Sequence, residues 1–284
     1  MPVQTEASIR RRRRRLAVPA AAVLTLTLGL AACGDGDGDD DEDAAPSATT
    51  QASSETTAAE TEDVGAFCDA AIEVEATFAA GGPEGPDPAQ LQTAFEQAQA
   101  TAPADIAGDV DQLITLTQEA MSGAGIEGPP PPEVEELDAN IDEYLLANCE
   151  LAEVSVTGTE YAFEGIAETV EAGQTAFSFT NDGGELHEFI LVRINDDVTE
   201  SIEELAQLPQ EEAFQKIQVL GFTMAAPGES DQAFVDLEPG RYGALCFYPV
   251  GSTPEAVAAA EESGEEIEAP PHFTQGMLAE FTVE

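Results

Sequence analysis

A helical segment followed by an antiparallel β-sandwich, an α + β multidomain chain, is the fold class this sequence predicts, and three observations carry it. Apolar residues recur at helical spacing between about residues 63 and 150, and from Val154 the period changes to two. Prolines separate the helical runs, and Gly, Asn, Asp and Pro bound the alternating ones. Two cysteines, Cys68 and Cys149, stand at the two limits of the helical region.

The chain begins with a different kind of segment. Residues 10–15 are six consecutive arginines, and an apolar run from Leu16 follows and ends in Leu30-Ala31-Ala32-Cys33. A basic stretch, an apolar stretch and a small-residue site are the three parts of an export signal. The run is about 17 residues, borderline for a membrane-spanning helix. Its LAAC ending resembles the lipobox of bacterial lipoproteins. That resemblance implies cleavage after residue 32, lipidation of Cys33 and an exported chain anchored by its lipid at the outer face of the cell membrane. The arginine run lacks the rest of a twin-arginine signal.

Charge narrows the function classes. The whole chain carries a net charge of −48, and without residues 1–32 only Arg193, Lys216 and Arg241 remain against 56 carboxylates, a net charge of −53. Such a surface repels nucleic acid and anionic headgroups, so a nucleic-acid binder is excluded. The acidity reads either as that of a self-repelling exported protein or as an adaptation to high salt.

Residues 33–62, GDGDGDDDED and the Ser/Thr/Ala/Glu run after it, have no apolar periodicity and read as a disordered acidic tether. Residues 63–150 form the expected helical domain. Val64, Phe67, Cys68, Ala71, Val74 and Phe78 share one helical spacing; Leu91, Phe95 and Ala98 follow Pro88; Ile106, Val110, Leu113, Ile114 and Thr117 follow Pro103; Val134, Leu137, Ile141, Tyr144 and Leu145 follow the four prolines at 129–132. Four helices with short connections favour an up-down-up-down bundle, which places the start of the first and the end of the fourth at one end. Cys68 and Cys149 occupy those places, and in an exported protein their pairing is the default, free thiols being the alternative.

Residues 151–284 form the expected sandwich. VSVTGTEYAF, QTAFSFTND, HEFILVRI, QAFVDLEPGRYGALCFY and MLAEFTVE are short β-rich runs. Residues 197–217 interrupt them with Ile202, Leu205, Leu208, Phe214 and Ile217 at helical spacing, one or two short helices inserted between strands. Met121 and Met224 read as core residues.

With Cys33 assigned to lipid and Cys68 to Cys149, Cys246 is left over. It is either a buried core cysteine or a soft-metal ligand. His187, Cys246, His272 and Met277 supply two imidazoles, a thiolate and a thioether, the donor set of a blue-copper site. The motifs around them resemble the cupredoxins over about residues 151–284. FTNDGGELHEF places His187 after a strand ending in Asn and a Gly loop, EPGRYGALCFYP places Cys246 at the end of a strand after a Pro-Gly-x-Tyr turn, and HFTQGM sets His272 five residues before Met277. Both histidines of the chain fall where that family has its ligands. Two features depart from the family. Between Cys246 and His272 lie 25 residues, where cupredoxins have a short loop, and Glu188 puts a carboxylate beside His187. A helical excursion from Pro254 to about Gly264 would return His272 to the site.

The resemblance implies one type 1-like copper ion and a role in electron transfer or copper handling at the cell surface, with a redox or copper-exchange protein as partner. Electron transfer needs a fixed site, and delivery needs an exposed, exchangeable one. The alternative is a metal-free surface binding module that meets a partner through the helical domain or the 197–217 insertion. A Cys-His nucleophile lacks an oxyanion hole or positive field in GALCFYP, so an enzyme is not expected. The 35–43 acidic run lacks the spacing of a calcium loop.

Overall fold

A computed structural model describes residues 57–81, 85–124 and 131–284. The expected export signal, Cys33 and the tether as far as residue 56 lie outside the described residues. Among the described residues no helix is long and apolar enough to cross a membrane.

Four helices come first: α1 (Thr57–Ala80), α2 (Pro88–Thr101), α3 (Ala107–Glu119) and α4 (Pro132–Asn148). The first thus starts at Thr57, inside the stretch read as tether. Local chemistry sets the starts of two others. The Asp87 carboxylate accepts the N–H groups of Ala89 and Gln90 at 2.9 and 3.0 Å, and Pro88 and Pro132 occupy first-turn positions whose missing N–H costs nothing. The apolar stripes meet as their spacing predicts, with Phe67, Leu91, Phe95, Ile106, Val110, Ile114 and Leu145 buried together. Cys68 and Cys149 form a disulfide across 81 residues of chain. The same cluster also contains Ala176 and Phe234, which belong to strands. The helices are therefore a layer laid on a sheet, sharing one core with it.

The strands form two sheets. The first runs β2 (Ala162–Glu164), β1 (Ala152–Thr159), β4 (Gly173–Asn181), β7 (Ser230–Leu237). The second runs β3 (Thr169–Val170), β9 (Leu278–Val283), β8 (Gly240–Leu245), β5 (His187–Ile194), β6 (Ile217–Ala225). The sandwich was expected to be antiparallel and is mixed, because β1 lies parallel to β4 and β3 parallel to β9. After the β1–β2 hairpin the chain crosses to the second sheet as β3 and returns beside β1, so β4 enters in the same direction as β1. Phe177, Phe179, Phe189, Leu191, Val235, Tyr242 and Phe281 fill the space between the sheets. Ala176 and Phe234 alternate with Phe177 and Val235 and face the helices instead, so β4 and β7 are buried on both faces.

The 197–217 insertion folds as two short helices, α5 (Ile202–Ala206) and α6 (Gln210–Ala213). Ser201 and Glu204 form a reciprocal cap at the start of α5. Ile202 and Leu205 are buried with Val192, Ile194, Leu245 and Phe273, and a Cβ on Gly243 would come within 2.5 Å of Ile202. Phe78, Phe214, Phe222 and Phe247, each partly exposed, line an apolar groove of about 820 Å³ between α1, this insertion and the second sheet. The excursion after Cys246 contains α7 (Pro254–Ser263), closed by Gly264 at φ 65°, the left-handed conformation that favours glycine at a helix end. Met121 and Met224, read as core or gap-filling, are instead 47% and 43% exposed.

Carboxylates crowd where the helical layer meets the first sheet. Oxygens of Asp138 and Asp142 on α4 and Asp231 on β7 lie within 4.8 Å of one another. Burial, then repulsion by Asp138, Asp231 and Glu75, pushes Asp142 up to about 8. Burial, then Asp138 and Asp231, raises Glu75 to about 7.

Candidate metal centre

The topology of the second sheet brings the four predicted ligands to one end. β5 and β9 both run antiparallel to β8, so the start of β5, the end of β8 and the start of β9 coincide. His187 is the first residue of β5, Cys246 follows β8, and Met277 precedes β9. His272 opens a 3₁₀ turn, His272–Gln275, just before Met277. All four side chains are 0% exposed.

The long excursion is closed at its base, which is how His272 reaches the site. Residues 270–273 run back along 246–250, with Val250 N–H donating to Pro270 C=O at 3.0 Å, His272 N–H to Tyr248 C=O at 2.8 Å and Phe273 N–H to Cys246 C=O at 3.0 Å. Met277 is tied to both sides of this hairpin. Its N–H donates to His272 C=O at 3.2 Å, and its C=O accepts from Cys246 N–H at 3.3 Å. The 25 intervening residues therefore lengthen the loop without displacing the ligand.

The loop before His187 is organised by Asn181, a fully buried side chain. Its Nδ2 donates to the C=O of Glu185 and of Ala225, each at 2.8 Å, and its Oδ1 accepts from Gly183 N–H at 2.8 Å. Gly183 has no room for a Cβ, which would meet Glu160 Oε1 and His187 Nε2 at 2.7 Å each.

The donor atoms converge. His187 Nδ1 lies 3.1 Å from His272 Nδ1, His272 Nδ1 lies 3.3 Å from Cys246 Sγ, and the group is mutually within 4.8 Å. The backbone N–H of Glu188 donates to Cys246 Sγ at 3.5 Å. The Glu188 carboxylate points the other way along the strand, accepts from Phe247 N–H at 2.6 Å and so stays out of the donor cluster.

Burial governs the electrostatics. It pushes the Cys246 thiol up to about 12, with the Glu188 carboxylate adding to the rise. Burial, and next the repulsion of His272, lowers His187 to about 4. The His187 imidazole is thus set up to be a neutral lone-pair donor, and Cys246 must release a proton to become a thiolate.

Two contributors were not read from the sequence. Glu185 accepts from His272 Nε2 at 2.9 Å, Gly251 N–H at 2.6 Å, Ser252 N–H at 3.0 Å and the Tyr161 hydroxyl at 3.1 Å. Burial alone would raise its pKa, but the donors from Gly251, His272 and Tyr161 outweigh burial and hold the carboxyl below its ordinary value. The Tyr161 ring packs against His272, tilted by 52°, with centroids 4.9 Å apart. No motif marks either residue, because they reach His272 across 87 and 111 positions of sequence; the GGELH glycines were the nearest signal.

Two nitrogens and a thiol sulfur converging in a dry pocket, with a thioether in the adjoining turn, fit a soft trigonal ion with a weak axial ligand. Among the described residues the buried His187 Nε2 has no hydrogen-bond partner, whereas His187 Nδ1 faces the other donor atoms.

No protein-family model and no curated protein matches this chain. Solved structures do. An auracyanin from Roseiflexus castenholzii is 20% identical, covers 47% of this chain and 97% of its own, and gives a TM-score of 0.29. Auracyanin A of Chloroflexus aurantiacus, described as a "blue" copper protein, is 17% identical over 47% of this chain and 98% of its own, with a TM-score of 0.28. A purple cupredoxin from Nitrosopumilus maritimus is 15% identical over 47% and 99%, with a TM-score of 0.23.

Proposed function

We propose that this protein binds one copper ion through His187, Cys246, His272 and Met277 and carries single electrons. Copper supplies a one-electron couple, and the chain supplies a donor set with a preset geometry. The observation that favours electron transfer over copper delivery is burial. All four ligands are fully enclosed, and a delivery site would have to present at least one of them to an acceptor.

The reading extends to place and partner. The chain is exported, lipidated at Cys33 and held at the outer face of the membrane, with residues 34–56, ahead of α1, as its tether. Its redox partner meets the apolar face beside the centre, where Phe247, the residue after Cys246, is 45% exposed and lines one groove with Phe222. That face and the groove beneath it are also what supports the second reading, a metal-free interaction module.

A copper titration separates the two. Copper bound only by the folded state raises the melting temperature by mass action, and a thiolate-to-Cu(II) band appears in the visible. Wild type should show both, Cys246→Ser should lose the band, and His272→Ala should lose the stabilisation. No copper-dependent stabilisation of wild type in either oxidation state rules out the copper reading.

A further inference from the structure

We propose that Glu185 is the positioning residue of this centre, fixing the tautomer of His272 and biasing the bound metal toward its oxidised state. The inference rests on the copper reading for its second half only.

A carboxylate can only accept, so the 2.9 Å contact requires His272 Nε2 to carry the proton. In the neutral ring the lone pair is then on Nδ1, the atom that faces His187 Nδ1 and Cys246 Sγ. The carboxylate therefore selects the one neutral tautomer that can ligate, and it fixes the ring plane as well. His272 is fully buried and the Glu185 side chain is 14% exposed, so water does not replace this partner.

The protein holds Glu185 from three other directions. Gly251 and Ser252 N–H groups grip Oε2 from the loop after Cys246, and Tyr161 bonds Oε1 from the β1–β2 turn. That turn is strained. Tyr161 has φ 64°, a conformation normally left to Gly or Asn, and the two-residue connection between Thr159 and Ala162 needs it. A tyrosine persists there because its ring covers His272 and its hydroxyl reaches Glu185. Its neighbour Glu160 bonds Gly184 N–H, so both turn residues close the site over the histidines.

A negative charge one imidazole away from the metal stabilises the more positive oxidation state. Glu185→Gln keeps the size and an acceptor oxygen but removes the charge. In the copper-loaded protein it should favour Cu(I) about tenfold more than wild type, a rise in reduction potential of about 59 mV. Glu188→Gln is the control, because that carboxylate is also near the centre but bonds no ligand imidazole, and its shift should be clearly smaller. An unchanged potential in Glu185→Gln, or an equal shift in Glu188→Gln, overturns the proposal. Nitrogen NMR of metal-free wild type tests the tautomer without copper: His272 should carry its proton on Nε2, and a proton on Nδ1 overturns it. Should wild type take up no copper, the functional reading fails while this NMR result still decides the His272–Glu185 pairing.

Discussion

At the scale of single residues, the centre is built from groups whose ordinary protonation has been displaced. With Cys246 near 12 and His187 near 4, metal uptake around neutral pH exchanges one proton, that of the thiol. Copper affinity should therefore rise about tenfold per pH unit between about pH 7.5 and 9, measured by competition with a chelator of known pH dependence. Below about 4, His187 must also lose a proton, and the slope should steepen further. A pH-independent affinity at neutrality would mean that the thiol is not a ligand. The four ligands were legible because the chain has two histidines and one unassigned cysteine, so few combinations exist. Glu185 and Tyr161 were hidden because a hydrogen-bonding carboxylate in so acidic a chain stands out only when the fold places it.

Among secondary elements, the helices were legible from spacing and prolines, and the 197–217 insertion from its apolar residues. Strand direction was not, since an alternating strand shows the same pattern whether its neighbour runs parallel or antiparallel. Nor was the sharing of one core by helices and sheet, because adjacent buried residues such as Ala176 and Phe177 look alike in sequence while facing different layers. The insertion is fitted to the second sheet through a single absent methyl. Gly243→Ala would drive a Cβ into the fully buried Ile202, so α5 must shift. The expected cost is about 1 to 3 kcal/mol in chemical denaturation, and Gly243→Ala with Ile202→Val should recover part of it. An unaffected single variant would show that α5 floats on the sheet.

For the whole molecule, the dominant force beyond the core is repulsion among carboxylates. Asp142 and Glu75 have pKa values raised above those of an unfolded chain, so the folded state binds more protons than the unfolded one. Their contribution is fully present at low pH and is lost as pH rises through about 7 to 8. His187 works in the opposite direction, its depressed value costing stability as pH falls from about 6.5 to 4. Between pH 6.5 and 8 the raised carboxylates outweigh His187, so the melting temperature of the metal-free protein should fall as pH rises. Asp142→Asn should flatten that slope, and a slope equal to that of wild type would remove the cluster as its cause.

The scarcity of positive charge has one further consequence. Among the described residues trypsin has three target bonds, after Arg193, Lys216 and Arg241, and each of these side chains is paired with a carboxylate, Asp196, Glu200 and Glu280 respectively. Two of them sit within β5 and β8, the neighbouring strands that carry His187 and Cys246. Cutting at either arginine requires those strands to separate, which also pulls the histidine from the sulfur. Susceptibility to this protease therefore gauges the integrity of the ligand sheet itself, with Lys216, just ahead of β6, as the one target reachable without parting them.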